Sequence, residues 1–165
     1  MNTVAKRIEI VANIAITLAT LILIGVTINH YLATRFPPQH IPVGAKITLH
    51  GIQWHNKQTS VVFALSTDCH FCAESAEFYR KLVQQCKHEH VRTIAVLPQA
   101  ITIAEAYLKS ADIQFDEVRH ITLSDIGVSG TPTLLLVSDS GLVRNIWVGK
   151  LPGDVEMEVL AKARS

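Results

Sequence analysis

The chain has 165 residues with 48% hydrophobic and 18% charged positions, which excludes a disordered acidic or basic tail protein. The formal net charge is +1, so no strong field argues for nucleic acid. Three cysteines are too few for a disulfide-built mini-protein, and the eight histidines form no ligand-like cluster beyond His88-x-His90.

The chain opens with a segment that carries no Lys, Arg, Asp or Glu from Ile10 to Thr34. About 20 helical residues cross a hydrocarbon core of roughly 30 Å, so 10–33 reads as a transmembrane anchor after a 1–9 cytoplasmic tail. A cleaved signal peptide fits less well, because its apolar region is about 7–15 residues and ends at a small-x-small site. Lys6 and Arg7 precede the run against one acid, Glu9, which puts the amino end inside and the rest outside the cytoplasm. Residues 36–165 then carry 12 basic against 13 acidic groups, or −1.

Residues 34–43 form a linker with Pro37, Pro38 and Pro42, a stiff extended spacer. The globular domain is placed at 44–165. Apolar runs at 46–49 and 52–54 around His50-Gly51 suggest a short hairpin. SVVFALS at 60–66 reads as a buried strand, and 71–87 as one helix with Cys72, Ala76, Tyr79, Val83 and Cys86 on its apolar stripe. Strands at 92–97 and 115–118 flank a helix at 100–110. Two strands at 133–138 and 142–148 around Asp139-Ser140-Gly141 read as a hairpin, followed by a helix at 155–163. This order predicts an α/β fold, a mixed sheet with helices on both faces.

The sharpest chemical signal is Cys69-His70-Phe71-Cys72, between a buried strand and a helix. At a helix start, unpaired N–H groups favour a thiolate at Cys69. Cys72 lies one turn on, so the two sulfurs can form a redox-active disulfide in which Cys69 attacks and Cys72 resolves. A zinc site would need about four ligands. Cys86, 14 residues beyond Cys72 along one helix, is too far to share one and reads as a core thiol. No metal and no organic cofactor are therefore expected.

The soluble part resembles thioredoxin-fold proteins, and most closely the membrane-anchored extracytoplasmic group typified by TlpA, ResA and CcmG, over roughly 43–160. The anchor, the strand running into Cys69-His70-Phe71-Cys72 and the block DIGVSGTPTLLLVSDSGLVRNIWVGKLP carry the likeness. It implies a thioredoxin-like fold and a cis-proline loop at Gly130-Thr131-Pro132 facing the cysteines, with Thr131 and Pro132 binding an extended client. It also implies thiol–disulfide oxidoreductase activity on exported proteins, with an upstream membrane or periplasmic dithiol partner. The chain departs from the pattern at Asp68, where Trp is usual, at Phe63, where thioredoxins carry a buried acid, and at Ser75, where an acid is frequent. Asp68 should oppose the Cys69 thiolate and His70 favour it, so both are modulating positions. The usual proton acceptor for Cys72 has no counterpart in the sequence, and His70 is the candidate substitute. Two alternatives share the fold: a copper-delivery protein of the Sco type, with His120 as a third ligand, and a peroxiredoxin-like peroxidase.

Overall fold

The computed structural model describes residues 2–35, 41–49, 51–54 and 58–164. It divides into two compact units, Met1–Pro38 and Gln39–Ser165. The first is a single helix, α1, Asn2–Arg35. Thr17, Thr20 and Thr27 turn their hydroxyls back onto the carbonyls of Asn13, Ile16 and Leu23 at 2.7–2.8 Å, which lets an apolar helix carry polar side chains. Ile14, Leu18, Ile22, Leu23 and Val26 are exposed. Among the described residues no helix is long and apolar enough to cross a membrane. Most of the proline linker, 36–40, and His50 of the expected hairpin lie outside the described residues.

The second unit is built on a five-stranded sheet of order β3-β2-β1-β4-β5. The strands are β1 Ser60–Ala64, β2 Arg92–Leu97, β3 Glu117–His120, β4 Thr133–Val137 and β5 Val143–Val148. β1 pairs parallel to β2, and β2 to β3; β4 runs antiparallel to β1, and β5 to β4. Both β1 and β4 are buried along their whole length, as the continuous apolar runs in the sequence require of central strands. α2 His70–Glu74 and α3 Ala76–His88 lead from β1 to β2, α4 Ile101–Ser110 leads from β2 to β3, and α5 Gly153–Lys162 closes the chain.

Strand alternation divides the core into two layers. Val61, Phe63, Ala95, Leu97, Leu134 and Leu136 face one side, where Leu82 of α3, Leu108 of α4 and Val159 of α5 pack on them. Val62, Ala64, Ile94, Val96, Leu135 and Val137 face the other, covered by Ile47, Leu49, Ile52, Ile126 and Val128. The expectation of helices on both faces is therefore corrected: α3, α4 and α5 share one face. The reason is topological. The chain steps from β1 to β2 to β3 in a single direction, and two right-handed crossovers in one direction lie on the same side of the sheet. An N-terminal segment and a 3₁₀ turn, Leu123–Ile126, cover the opposite face.

Three local expectations also change. The hairpin at 46–54 does not form among the described residues. Its backbone pairs instead with the β4–β5 turn, through a Lys46–Leu142 bridge and Ile47 N–H donating to Gly141 O at 2.9 Å. The single helix at 71–87 is broken at Ser75 (φ −89°, ψ 2°), whose Oγ donates to Phe71 O at 2.8 Å. The strand expected at 115–118 begins two residues later. Phe115 is drawn off the strand to stack edge-on against Phe63 at 4.8 Å, and Asp116 caps Thr93 N–H at 2.7 Å.

Candidate active site

The Cys-x-x-Cys motif occupies the turn from central strand β1 into α2. Cys69 is the N-cap of α2, and its side chain does what Ser or Asp does elsewhere: Sγ accepts the Cys72 N–H at 3.2 Å. Cys69 is half-buried, Cys72 is 1% exposed, and both are free thiols. The thiol of Cys69 donates to the carbonyl oxygen of Thr131 at 3.3 Å, so the motif and the loop before β4 meet directly. The Thr131–Pro132 peptide is cis, Pro132 is buried, and its carbonyl accepts the Gly149 N–H at 2.7 Å.

The two thiols are driven apart. Burial alone would raise Cys69, but hydrogen bonds from the Cys72 and Thr131 side chains and the Cys72 and Phe71 N–H groups outweigh it, leaving Cys69 below its ordinary value. Burial, followed by a hydrogen bond to Cys69, pushes Cys72 up to about 12. Near neutral pH the outer sulfur is thus the better nucleophile and the inner one holds its proton.

His70 and Asp68, the two positions expected to modulate the thiols, sit differently from one another. His70 directs Nε2 to Glu74 Oε1 at 3.0 Å on the exposed side of α2, and Lys150 Nζ binds the other Glu74 oxygen at 2.7 Å. Lys150 foremost, with His70, holds Glu74 below the usual carboxylate range. Asp68 is exposed and its two oxygens face Thr67 Oγ1 and Gln99 Nε2, both at 3.4 Å. Glu77, like Glu74, turns away from the thiols and pairs with Lys81 at 2.7 Å.

Several site residues had no sequence signal. Gln99, after β2, donates to Ser66 Oγ at 2.9 Å and accepts Thr67 N–H at 3.4 Å, binding the loop that leads into Cys69. Ser66 in turn supplies a backbone N–H toward Cys72 and a carbonyl for Cys69 N–H at 3.2 Å. The Tyr79 and Tyr107 phenols are both raised, chiefly by burial, with the two thiols adding to the effect. His120 ends β3, and its Nδ1 contacts Gln99 O at 2.8 Å. Among the described residues no group of three His, Cys, Asp or Glu converges to hold a metal ion.

A five-stranded mixed sheet with a Cys-x-x-Cys capping the helix after its central strand defines a thioredoxin-like fold. Solved structures agree. A candidate thiol:disulfide interchange protein DsbE from Chlorobium tepidum superposes with a TM-score of 0.63 at 18% identity, over 76% of this chain and 99% of that one. The thioredoxin domain of a thiol-disulfide oxidoreductase from Bacteroides vulgatus gives 0.57 at 14% identity, over 76% and 99%. A thiol:disulfide interchange protein from a Bacteroides species gives 0.53 at 15%, over 78% and 90%. No family model matches the chain, and no curated protein matches it.

Proposed function

We propose that this chain is a membrane-tethered thiol–disulfide oxidoreductase that exchanges disulfides with exported proteins through Cys69 and Cys72. The observation that carries the reading is the asymmetry of the dithiol: an outer sulfur capping a helix start, and a buried inner sulfur pushed up to about 12. In the reducing direction the Cys69 thiolate attacks a client disulfide, forms a mixed disulfide and expels one client thiolate. Cys72 then loses its proton and attacks the Cys69 sulfur, which closes the internal disulfide and releases the second client thiolate. Two electrons pass to the client, and the reverse sequence oxidises it. An upstream dithiol protein of the membrane or periplasm resets the couple.

The Thr131 and Pro132 loop lies against the attacking sulfur and suits an extended client segment. Tethering is supported by the charge-free run from Ile10 to Thr34, and outward placement by Lys6 and Arg7 ahead of it. The superposing structures are those of thiol:disulfide interchange proteins and a thiol-disulfide oxidoreductase, which supports the same chemistry.

The test is equilibration of the full chain in glutathione buffers, followed by thiol trapping. One two-electron transition between dithiol and Cys69–Cys72 disulfide is expected, lost on replacing either cysteine with Ser. Absence of that transition overturns the reading. Alkaline carbonate extraction and a reporter fused after Ser165 test the tether: extraction into the soluble fraction, or a cytoplasmic reporter, removes that part.

A further inference from the structure

Asp68 precedes the attacking cysteine, where a carboxylate should oppose a thiolate, yet Cys69 is held below its ordinary value. Hydrogen bonds from Cys72, Thr131 and Phe71 lower it against the effect of burial. The Asp68 carboxylate is itself hydrogen-bonded beside its own loop. Oδ1 faces the Thr67 hydroxyl and Oδ2 the Gln99 amide, and the Asp68 N–H donates to Ser66 Oγ at 3.3 Å. Gln99 ties these groups together: one amide reaches Ser66 Oγ, Thr67 N–H and the Asp68 carboxylate. Its own backbone is fixed by the His120 ring at 2.8 Å.

We propose that Gln99 is a positioning residue for the dithiol: its side-chain amide keeps the Asp68 carboxylate folded into the Ser66–Thr67 loop, so that this charge does not oppose the neighbouring sulfur. The inference rests on the oxidoreductase reading and deepens it, by naming the device that lets an acidic residue stand beside the nucleophile. Other ionisable groups around the motif are engaged elsewhere. His70 and Lys150 both bind Glu74, His120 binds the Gln99 carbonyl, and burial favours the neutral phenols of Tyr79 and Tyr107.

The experiment follows iodoacetamide alkylation of Cys69 in the reduced full chain from pH 5 to pH 9. Gln99→Met removes the amide at similar volume. It should slow alkylation at pH 6 about threefold and move the profile up by about half a pH unit, because the freed carboxylate opposes the thiolate. Asp68→Asn alone should change the rate less than about twofold, since its oxygens are already held by Thr67 and Gln99. In the Asp68→Asn background, Gln99→Met should have no further effect. Gln99→Asn, which keeps an amide but shortens its reach, should behave as Gln99→Met and serves if the Met variant does not fold. A profile unmoved by both variants overturns the proposal. So does an equal slowing in both backgrounds, which marks general loosening of the loop rather than control of Asp68. Loss of the redox couple in the unsubstituted chain brings down the oxidoreductase reading and this inference with it; an intact couple with an unmoved profile brings down this inference alone.

Discussion

The Cys69 sulfur accepts the backbone N–H of Cys72 at 3.2 Å, so the proposed nucleophile caps the very turn that buries the cysteine proposed to resolve it. Attack at Cys69 leaves Cys72 one helical turn inside, shielded from solvent until the mixed disulfide has formed. Two consequences can be measured. At pH 7 the reduced chain should take up one alkyl group quickly, at Cys69, and the second at least about tenfold more slowly, because alkylation follows thiolate fraction and access. Cys72→Ser should accumulate mixed disulfides with client proteins, while Cys69→Ser should not. Equal alkylation of both thiols would falsify this division of roles.

The separation of the two thiols also sets how the reduction potential varies with pH. Below the Cys69 ionisation, reduction takes up two protons with two electrons, a slope of about −59 mV per pH unit. Above it the reduced form holds Cys69 as a thiolate, one proton is taken up, and the slope falls to about −30 mV. Cys69 lies below its ordinary value, so the break should fall below the usual thiol range, with no second break before Cys72 ionises at about 12. The sign follows: the lowered thiol stabilises the reduced form above its ionisation, and that advantage disappears as pH falls through it. An unbroken slope of about −59 mV to pH 10 would show that Cys69 is not depressed.

Much of this site was legible because its chemistry is local in sequence. Cys69 and Cys72 announce themselves by spacing and by the strand before them, and Pro98 ends β2 where the 92–97 reading stops. The broken helix was not legible, because the apolar stripe runs through Ser75 unchanged and the break rests on a hydrogen bond from its own side chain to Phe71 O. Helices on both faces were expected from element order alone, whereas the face depends on the direction in which strands are added to the sheet. Gln99 lies 30 residues after Cys69 and acts across the sheet through tertiary contacts that no spacing encodes.

Cys86 is fully buried on α3, and burial, with the Asp116 charge, pushes its thiol up to about 12. In the unfolded chain the thiol ionises near about 8.5. The raised group therefore contributes its full stability below the unfolded value and loses it as pH climbs toward 12. Cys86→Ala should destabilise the domain by about 1–2 kcal/mol at pH 7, the usual range for a small core truncation. That deficit should shrink by up to about 1.4 kcal/mol per pH unit between pH 9 and 11, where the parent alone keeps a thiol from ionising. Urea unfolding at pH 7, 9 and 10 reads it, and a deficit constant with pH would place Cys86 in contact with water.

Gly141 and Gly149 bracket β5 and offer a controlled comparison. Both have φ of +83°, a conformation that L side chains rarely adopt. A Cβ added at Gly149 meets nothing within 4 Å, whereas one added at Gly141 would stand 2.8 Å from Cδ1 of Trp54. That indole is not free to retreat, since its Nε1 donates to Ile47 O at 2.9 Å, and Ile47 N–H in turn donates to Gly141 O. Gly149→Ala should therefore show the backbone effect alone, about 1–2 kcal/mol. Gly141→Ala should add a steric part and reach about 2–4 kcal/mol in urea unfolding. If the two losses are equal, Trp54 yields without cost and the segment at 46–54 is not pinned against the β4–β5 turn. If Gly141→Ala is the larger, and Trp54→Ala removes most of the difference, the indole is the element that fixes this cover over the second core layer.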